Sequence, residues 1–521
     1  MRGFEISLIR LSSLTMLGGA LTLTLWVSAC TQAALDAPKP ITYAETAPAQ
    51  ARLVQAAKRL ESQQGSAQTH VIPVVGGSEA LGVRLRIIEQ AQHTLDLQYF
   101  LMKPDLAGAL VTQALLQAAD RGVRVRFLVD DIFTPVSDQS MALVAAHPNV
   151  AMRIFNPAAR PGPKSLGLLT DFSRVNRRMH NKSFTADGAV AVIGGRNIAD
   201  EYYQIQTTSE FADFDTILIG PAVADIAEAF DLYWNDGWSV PVHRLYDMPS
   251  SEELAEARVE LDAQLVPARA TYEAAVNSPH FAQLTSGKSA IYSGDTTVVV
   301  DMPDKVKTPI KGGQRVLAEN LLGRIKNARK DVLVVTPYFV PEDYGAELFE
   351  ALSARGVTVR IVTNSVGSTN HAYVHAGYKR HREALLKAGV QLNEVRPDAL
   401  QALGKLPADD RTGLVMHTKL FVIDDEDVFV GSLNFDPRSI KLNTEFGVFI
   451  KSPAFARSIH TELAKGLVNF TYRLSLDEEG EIHWHYDNPE APSVTRKEPN
   501  ATLWKTFVIG VTGLLNVELQ L

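Results

Sequence analysis

His180-Asn181-Lys182-Ser183-Phe184-Thr185-Ala186-Asp187 and His417-Thr418-Lys419-Leu420-Phe421-Val422-Ile423-Asp424 share one pattern, His-x-Lys-x4-Asp, 237 residues apart. The agreement runs on downstream. Gly194-Gly195 and Asn197 follow the first copy at the offsets where Gly431-Ser432 and Asn434 follow the second. With 13 histidines in the chain and ordinary lysine and aspartate usage, chance supplies on the order of a few hundredths of one such match. Two matches with matching tails mark a repeated unit.

The repeat is wider than the motif. Leu95-Asp96-Leu97-Gln98-Tyr99-Phe100 answers Leu333-Val334-Val335-Thr336-Pro337-Tyr338-Phe339, and Asp120 to Val129 answers Ala354 to Thr363, with offsets of 239 and 234. The two halves therefore share their order of elements and differ by small loop insertions. The first half reads as a strand at Val71 to Val75, a helix at Leu81 to Ala91, a strand at Thr94 to Phe100, a helix at Ala107 to Asp120 and a strand at Arg124 to Val129. The motif alternates in strand fashion through Lys182 to Thr185, turns at Ala186-Asp187-Gly188 and returns along Ala189 to Ile193. The histidine on one strand and the glycines beyond the other are thus brought close together. Strands alternating with helices predict an α/β architecture, two pseudo-symmetric domains with the active site at their interface.

The predicted organisation is a leader at 1–30, a polar tether at 31–70 with a helical stretch near Ala51 to Ser62, a first α/β domain at 71–240, a helical linker at 241–289, a second α/β domain at 290–472 and a C-terminal extension at 473–521. In that extension Leu503 to Leu521 is apolar except for Lys505 and Glu518, with an uncharged core, Thr506 to Val517, too short to span a bilayer. It is expected either to lie in a membrane interface or to pack on the protein.

At 521 residues and 46% hydrophobic content the chain can bury substantial cores. The formal charge is −8, and removing Arg2, Arg10 and Glu5 with the leader leaves −9. That balance disfavours a nucleic-acid partner. A basic cluster (Arg153, Arg160, Lys164, Arg174, Arg177, Arg178) nevertheless leads into the first histidine, and Arg177 and Arg178 read either as lipid-phosphate contacts or as a charged strand entrance. Leu11 to Cys30 contains no charged side chain and ends Val27-Ser28-Ala29-Cys30, as in a lipoprotein signal that leaves the cysteine lipidated. An ordinary signal peptide or an uncleaved anchor are the alternatives. The expected location is the bacterial cell envelope, membrane-anchored and facing the periplasm or the exterior. Cys30 is the only cysteine, so an internal disulfide is ruled out.

Alternation puts His180 and Lys182 on one face, and likewise His417 and Lys419. If the halves dock face to face, one site holds two imidazoles and two ammonium groups, the set a phosphodiester needs. One imidazole attacks phosphorus, the other protonates the leaving alkoxide and then deprotonates the incoming alcohol. Lys182 and Lys419, with Asn197 and Asn434, neutralise and orient the non-bridging oxygens, so the chemistry calls for no metal and no cofactor. His371 and His375 have the spacing of a helical metal pair but lack the glutamate of H-E-x-x-H and a third ligand.

The duplicated H-x-K-x4-D-x6-G-[GS]-x-N pattern resembles the phospholipase D superfamily over Val71 to about Thr471. Within it, Asn176 to Lys182, Gly194 to Ile198 and the export signal are most similar to bacterial cardiolipin synthases of the C-type. The resemblance implies phosphatidyl transfer to phosphatidylglycerol, with phosphatidylethanolamine as a further substrate. It also implies that carboxylates from the following strand hold the histidines: Glu445 in the second half and, in the first, Asp213 in preference to Glu210. By the same analogy His180 is the nucleophile and His417 the acid and base, although pseudo-symmetry leaves the reverse open. Asp187 and Asp424 complete the catalytic motif and are expected to fix the turn and neighbouring backbone. A lipid hydrolase and a phosphodiester nuclease would use the same histidine chemistry, and a non-catalytic lipid-binding module would be expected to have lost a His or Lys.

Overall fold

The structure is a computed structural model that describes residues 38–158, 171–205, 208–279, 288–308 and 314–514, together with positions 35 and 283. Cys30, Arg160 and Lys164 lie outside the described residues. The first repeat contributes β1 (Thr69–Val74), β2 (Thr94–Tyr99), β3 (Arg124–Asp130), β4 (Val150–Phe155), β5 (Ser183–Ala186), β6 (Val190–Gly194), β7 (Ser209–Ala212), β8 (Asp215–Ile219) and β9 (Ser239–Pro241). The second contributes β10 (Tyr292–Val300), β11 (Asp331–Val335), β12 (Thr358–Asn364), β13 (Gln391–Val395), β14 (Gly413–Met416), β15 (Leu420–Ile423), β16 (Asp427–Gly431), β17 (Phe446–Lys451), β18 (Thr471–Leu476), β19 (Ile482–Tyr486) and β20 (Ser493–Thr495).

Among the described residues, 18 of these strands pair in the order β9-β4-β3-β2-β5-β6-β8-β1-β10-β17-β16-β15-β11-β12-β13-β18-β19-β20. The two halves meet where β1 pairs antiparallel with β10, and outward from that seam the order of one half mirrors the other. In each half three neighbouring strands are parallel, β2-β3-β4 and β11-β12-β13. They are joined by helices, Leu106–Asp120 and Asp138–Ala145 in the first half, Glu342–Ala354 and Ala372–Lys387 in the second. Parallel strands covered on both faces are mostly apolar, and Val125, Phe127, Leu128 and Val129 of β3 are all buried, while buried Arg126 of the same strand is neutralised by Asp96 of β2.

Each repeat has its own core, and a third is shared. Val71, Ala191, Ile193 and Leu218 from the first repeat pack with Leu333, Val335, Val422, Val430 and Val448 from the second. Burial of apolar area between the halves therefore fixes how their edges meet.

Two boundaries differ from the sequence reading. Residues 40–64 are not a free tether. Ala44 N donates to Asp231, Trp234 Nε1 to the Thr42 hydroxyl and Arg126 to the Thr42 carbonyl, while Ala47 N reaches the carbonyl of Asp187. A polar, alanine-rich segment can be strapped down in this way because most of these bonds use its backbone, while Leu53, Val54 and Ala57 of the helix Arg52–Gln64 bury against the first repeat. Nor does the second sheet stop near 472, since β18, β19 and β20 extend it to Thr495. Between the repeats lie the helices Ser251–Leu265, started by a Ser250/Glu253 capping box, and Arg269–Val276. The second lies so close to helix Gly77–Gln90 that a Cβ on Gly82 would come within 2.0 Å of the Ala275 carbonyl oxygen.

Candidate active site

The two motifs sit where each chain leaves its own sheet to pair with the other repeat. Met179 bridges Thr444 in parallel, and β14, which ends at Met416, runs parallel to β7 with Met416 opposite Ala212. The next residue in each case is the histidine: His180 N donates to the Thr444 carbonyl at 2.9 Å and His417 N to the Ala212 carbonyl at 2.7 Å. His180 to Lys182 consequently precede β5 instead of lying within it, because their backbone bonds belong to the opposite repeat.

That exchange delivers a carboxylate across the interface to each imidazole. His180 Nδ1 lies 2.9 Å from Glu445 Oε2, and His417 Nδ1 lies 2.7 Å from Asp213 Oδ2. Asp213, rather than Glu210, meets the second histidine. With Nδ1–H directed at a carboxylate, the lone pair of each ring is left on Nε2. The carboxylates are themselves held. Glu445 accepts from the Ser432 hydroxyl, and its backbone N–H is bonded at 3.1 Å to Asp301, which is paired with Lys305. Asp213 accepts from Phe214 N at 2.8 Å.

The motif difference Gly195 versus Ser432 now has a physical reason. A Cβ on Gly195 would lie 2.3 Å from Asp213 Oδ1, so the first repeat pairs a short acid with a glycine, whereas the second pairs glutamate with a serine that donates to it. The two combinations are matched sets.

All four motif side chains are buried. Lys182 Nζ donates to the His180 carbonyl at 2.7 Å and lies 5.1 Å from the Phe100 ring centroid; Lys419 Nζ is 3.0 Å from both ring nitrogens of His417. Phe100 stands edge-on to His180 with centroids 4.9 Å apart, Tyr202 edge-on to His417 at 5.1 Å, and Phe211 stacks on His417 at 5.5 Å. These aromatic walls carried no signal in the motif.

Burial dominates the protonation of the site. It pushes His180 down to about 4, with Glu445 opposing and Lys182 reinforcing the shift, and it pushes His417 down as well, with Lys419 and Lys182 adding to it. Lys419 is lowered by burial to about 8 and Lys182 is also lowered. Burial alone would raise Glu445, but His180, Lys182 and Ser432 outweigh it and hold the group below its ordinary value; Asp213 is raised by burial against the pull of Lys419 and Arg196. The protein thus presents two neutral imidazoles at neutral pH, one of them on a firmly ionised carboxylate.

Asn197 Nδ2 bonds the Tyr202 hydroxyl at 2.9 Å and Asn434 Nδ2 the Ser439 hydroxyl at 3.3 Å, and each leaves its amide oxygen buried without a partner. Asp187 and Asp424 stand at the far end of the motif strands from the histidines. The Asp187 carboxylate accepts from the backbone of Gln92, His93 and Thr94, and that of Asp424 from Arg329, Lys330 and Asp331.

The described members of the basic cluster are engaged within the protein. Arg178 is fully buried in an ion pair with Asp130 at 2.7 Å, Arg153 stacks 4.1 Å from a Trp234 ring, Arg174 pairs with Asp171, and Arg177 bonds the Thr308 carbonyl. Arg178 is therefore no lipid contact. His375 is tied to Arg382 at 2.9 Å while His371 lies beside Tyr338, so these two do not converge. Among the described residues, metal-ligating groups come within mutual reach at Asp331, Asp425 and His460, at the turn end of the second repeat.

A duplicated α/β fold that closes two His/Lys pairs over one interface, each histidine backed by a carboxylate from the other half, defines a phosphodiester-processing enzyme of the phospholipase D type. Residues 85–234 and 321–466 match the family described as "Cardiolipin synthase, PLD-like domain", and the chain belongs to that family. It is 37% identical over 472 residues to cardiolipin synthase C of Escherichia coli (strain K12), covering 90% of this chain and 99% of that one. It is 26% identical to the major cardiolipin synthase of Bacillus subtilis (strain 168) over 77% of this chain and 70% of the relative. The phosphatidylserine synthase of Haemophilus influenzae Rd KW20 shares the fold, with a TM-score of 0.56 at 14% identity, covering 89% of this chain and all of that one.

Proposed function

We propose that this protein is a phospholipid phosphatidyltransferase that makes cardiolipin through a phosphatidyl-histidine intermediate. The observation that carries the reading is the crossed pair of carboxylate-bound imidazoles, His180 on Glu445 and His417 on Asp213. An ionised Glu445 makes His180 the better nucleophile, because it stabilises the positive charge that develops on the ring as Nε2 bonds to phosphorus. In the first step the His180 Nε2–P bond forms, the bond from phosphorus to the leaving headgroup oxygen breaks, and His417 gives that oxygen its proton. In the second, His417 takes the proton from a phosphatidylglycerol hydroxyl, whose oxygen attacks phosphorus and releases His180.

Burial and two lysines keep His417 neutral in the protein alone; the charge of an incoming phosphodiester offsets them and lets the ring take up the proton it must donate. Lys182 and Lys419 bind the non-bridging oxygens. Oxygen and nitrogen of a side-chain amide are interchangeable by a half-turn. With Asn197 and Asn434 turned, Tyr202 and Ser439 donate to the amide oxygens and each NH2 is freed for the phosphate. Asp187 and Asp424 act on the fold and touch no substrate. Lipidation of Cys30 holds the protein to a membrane of the cell envelope. No helix among the described residues is long and apolar enough to cross a membrane.

The test is mass spectrometry of lipids from phosphatidylglycerol vesicles, with and without phosphatidylethanolamine, incubated with purified protein. Cardiolipin is expected, absent with His180→Ala and His417→Ala. Phosphatidic acid in its place would make the enzyme a hydrolase, and neither product would remove the lipid assignment.

A further inference from the structure

The C-terminal helix Leu503–Leu514 presents its apolar side outward. Leu503, Trp504, Phe507 and Val511 are 92, 71, 61 and 40% exposed, and at 100° per residue they fall within an arc of about 100°. Trp504 and Phe507 stack at 5.9 Å. The opposite side carries the one charged residue, Lys505, and the buried Ile509, which packs on Val366, Ala372 and Ala376. A soluble surface helix has the reverse arrangement, and an outward apolar stripe of this kind marks a contact with something apolar.

The helix is no loose tail. Glu498, just ahead of it, is clamped by Lys379 and Arg382, both at 2.9 Å. Gly367 lies so close to Asn500 that a Cβ would come within 2.9 Å of the Asn500 Cβ. Lys505 Nζ donates to the carbonyls of Val366, Gly367 and Thr369 at 3.0, 2.8 and 2.9 Å. That loop follows Asn364, whose amide bonds both the N–H and the carbonyl of Met416, the residue before His417. It leads into helix Ala372–Lys387, which starts directly after His371. The exposed stripe is thus rigidly joined to the segment that carries one catalytic imidazole.

We infer that Leu503, Trp504, Phe507 and Val511 form a bilayer-docking surface that sets the active site against the plane of its lipid substrate. The choice of a lipid surface as occupant rests on the phosphatidyl-transfer reading. It is favoured by the tryptophan and phenylalanine on the stripe, the side chains that settle at the boundary between headgroups and acyl chains, and by the absence of charge from the stripe. Docking here supplies orientation, which the tethering of a distant N-terminus does not.

The test has two arms, both with the full-length protein. In the first, vesicles of phosphatidylglycerol brominated along the acyl chains are added, and Trp504 emission is obtained as the difference between the protein and its Trp504→Phe form. Quenching of that component is expected. In the second, a Leu503→Ser, Trp504→Ser, Phe507→Ser variant is assayed on vesicles and on dihexanoyl phosphatidylglycerol below its micelle concentration. The variant should lose about tenfold or more on vesicles and stay within about twofold on the dispersed lipid. Unquenched Trp504, or equal losses on both substrates, overturns the inference. If the unaltered protein turns over neither lipid, the phosphatidyl-transfer reading fails, while the quenching still decides the docking surface.

Discussion

Glu445 and Asp213 do the same work with different reach, and each is matched to its neighbour. Serine at 195 would drive its Cβ into the Asp213 carboxylate. Gly195→Ser is therefore expected to cost about 1–3 kcal/mol of stability through overpacking and to lower kcat sharply by displacing the partner of His417. Ser432→Ala deletes one donor to a fully buried acid, costs a similar amount, and leaves Glu445 on His180 with a smaller effect on kcat. Urea unfolding and steady-state rates separate the two. The pH profile follows from the same burial. His180 attacks only when neutral, so the rate should fall as pH drops through about 4; His417 must take up a proton before it can donate one and Lys419 serves only when charged, so the rate should also fall towards alkaline pH, with the Lys419 contribution at about 8. Lys419→Arg, if it retains turnover, should move the alkaline fall to higher pH, and an unmoved limb would assign that limb to another group. The residue types and spacing of the site were legible in the sequence. The crossing of the carboxylates was not, because it depends on which edges of the two repeats meet, and pseudo-symmetry gives either half the same local pattern.

At the scale of the element, the motif strand is a hairpin arm with chemistry at one end and an anchor at the other. Asp187 and Gly188 have φ of 54° and 62°, and Asp424 and Asp425 have 56° and 54°, so both hairpins turn through left-handed backbone. The Asp187 carboxylate then satisfies the chain entering β2, and that of Asp424 the chain entering β11. Asp187→Ala should cost about 1–3 kcal/mol by stranding the buried Thr94 N–H along with those of Gln92 and His93, and Asp424→Ala less, because Asp424 and Asp331 are only half-buried where Asp187 and Thr94 are buried. Thermal unfolding measures both, and the surviving folded protein should keep far more activity than either histidine variant. Most elements of the first repeat were readable to within a few residues, since β-branched runs and helical periods are local signals. Ahead of it, the helical stretch near Ala51 to Ser62 was legible and is helix Arg52–Gln64, but the docking of residues 40–50 was not, because bonds made largely through the backbone leave side chains looking like those of a linker. The strands beyond 472 were missed for the related reason that they are only partly buried towards the end of the sheet, which β20 closes, and so carry a weak apolar pattern.

The whole molecule is a mirror with one functional seam. The β1–β10 pairing and the shared apolar core bring two equivalent halves together, and the site exists only there, since each half supplies a nucleus of His and Lys and a carboxylate for the other. The duplication that announced the fold is also what hid the division of labour between the histidines. In the proposed mechanism, ionised Glu445 on one side and Lys419 against the ring of His417 on the other favour His180 as nucleophile. The most direct measurement is mass spectrometry of peptides from acid-sensitive-bond-preserving, alkaline digests of protein quenched during turnover of phosphatidylglycerol. A phosphatidyl adduct on the His180 peptide of the unaltered protein is expected, and its absence from His180→Ala. An adduct on His417 that survives His180→Ala, or cardiolipin formation by His180→Ala, would contradict the account.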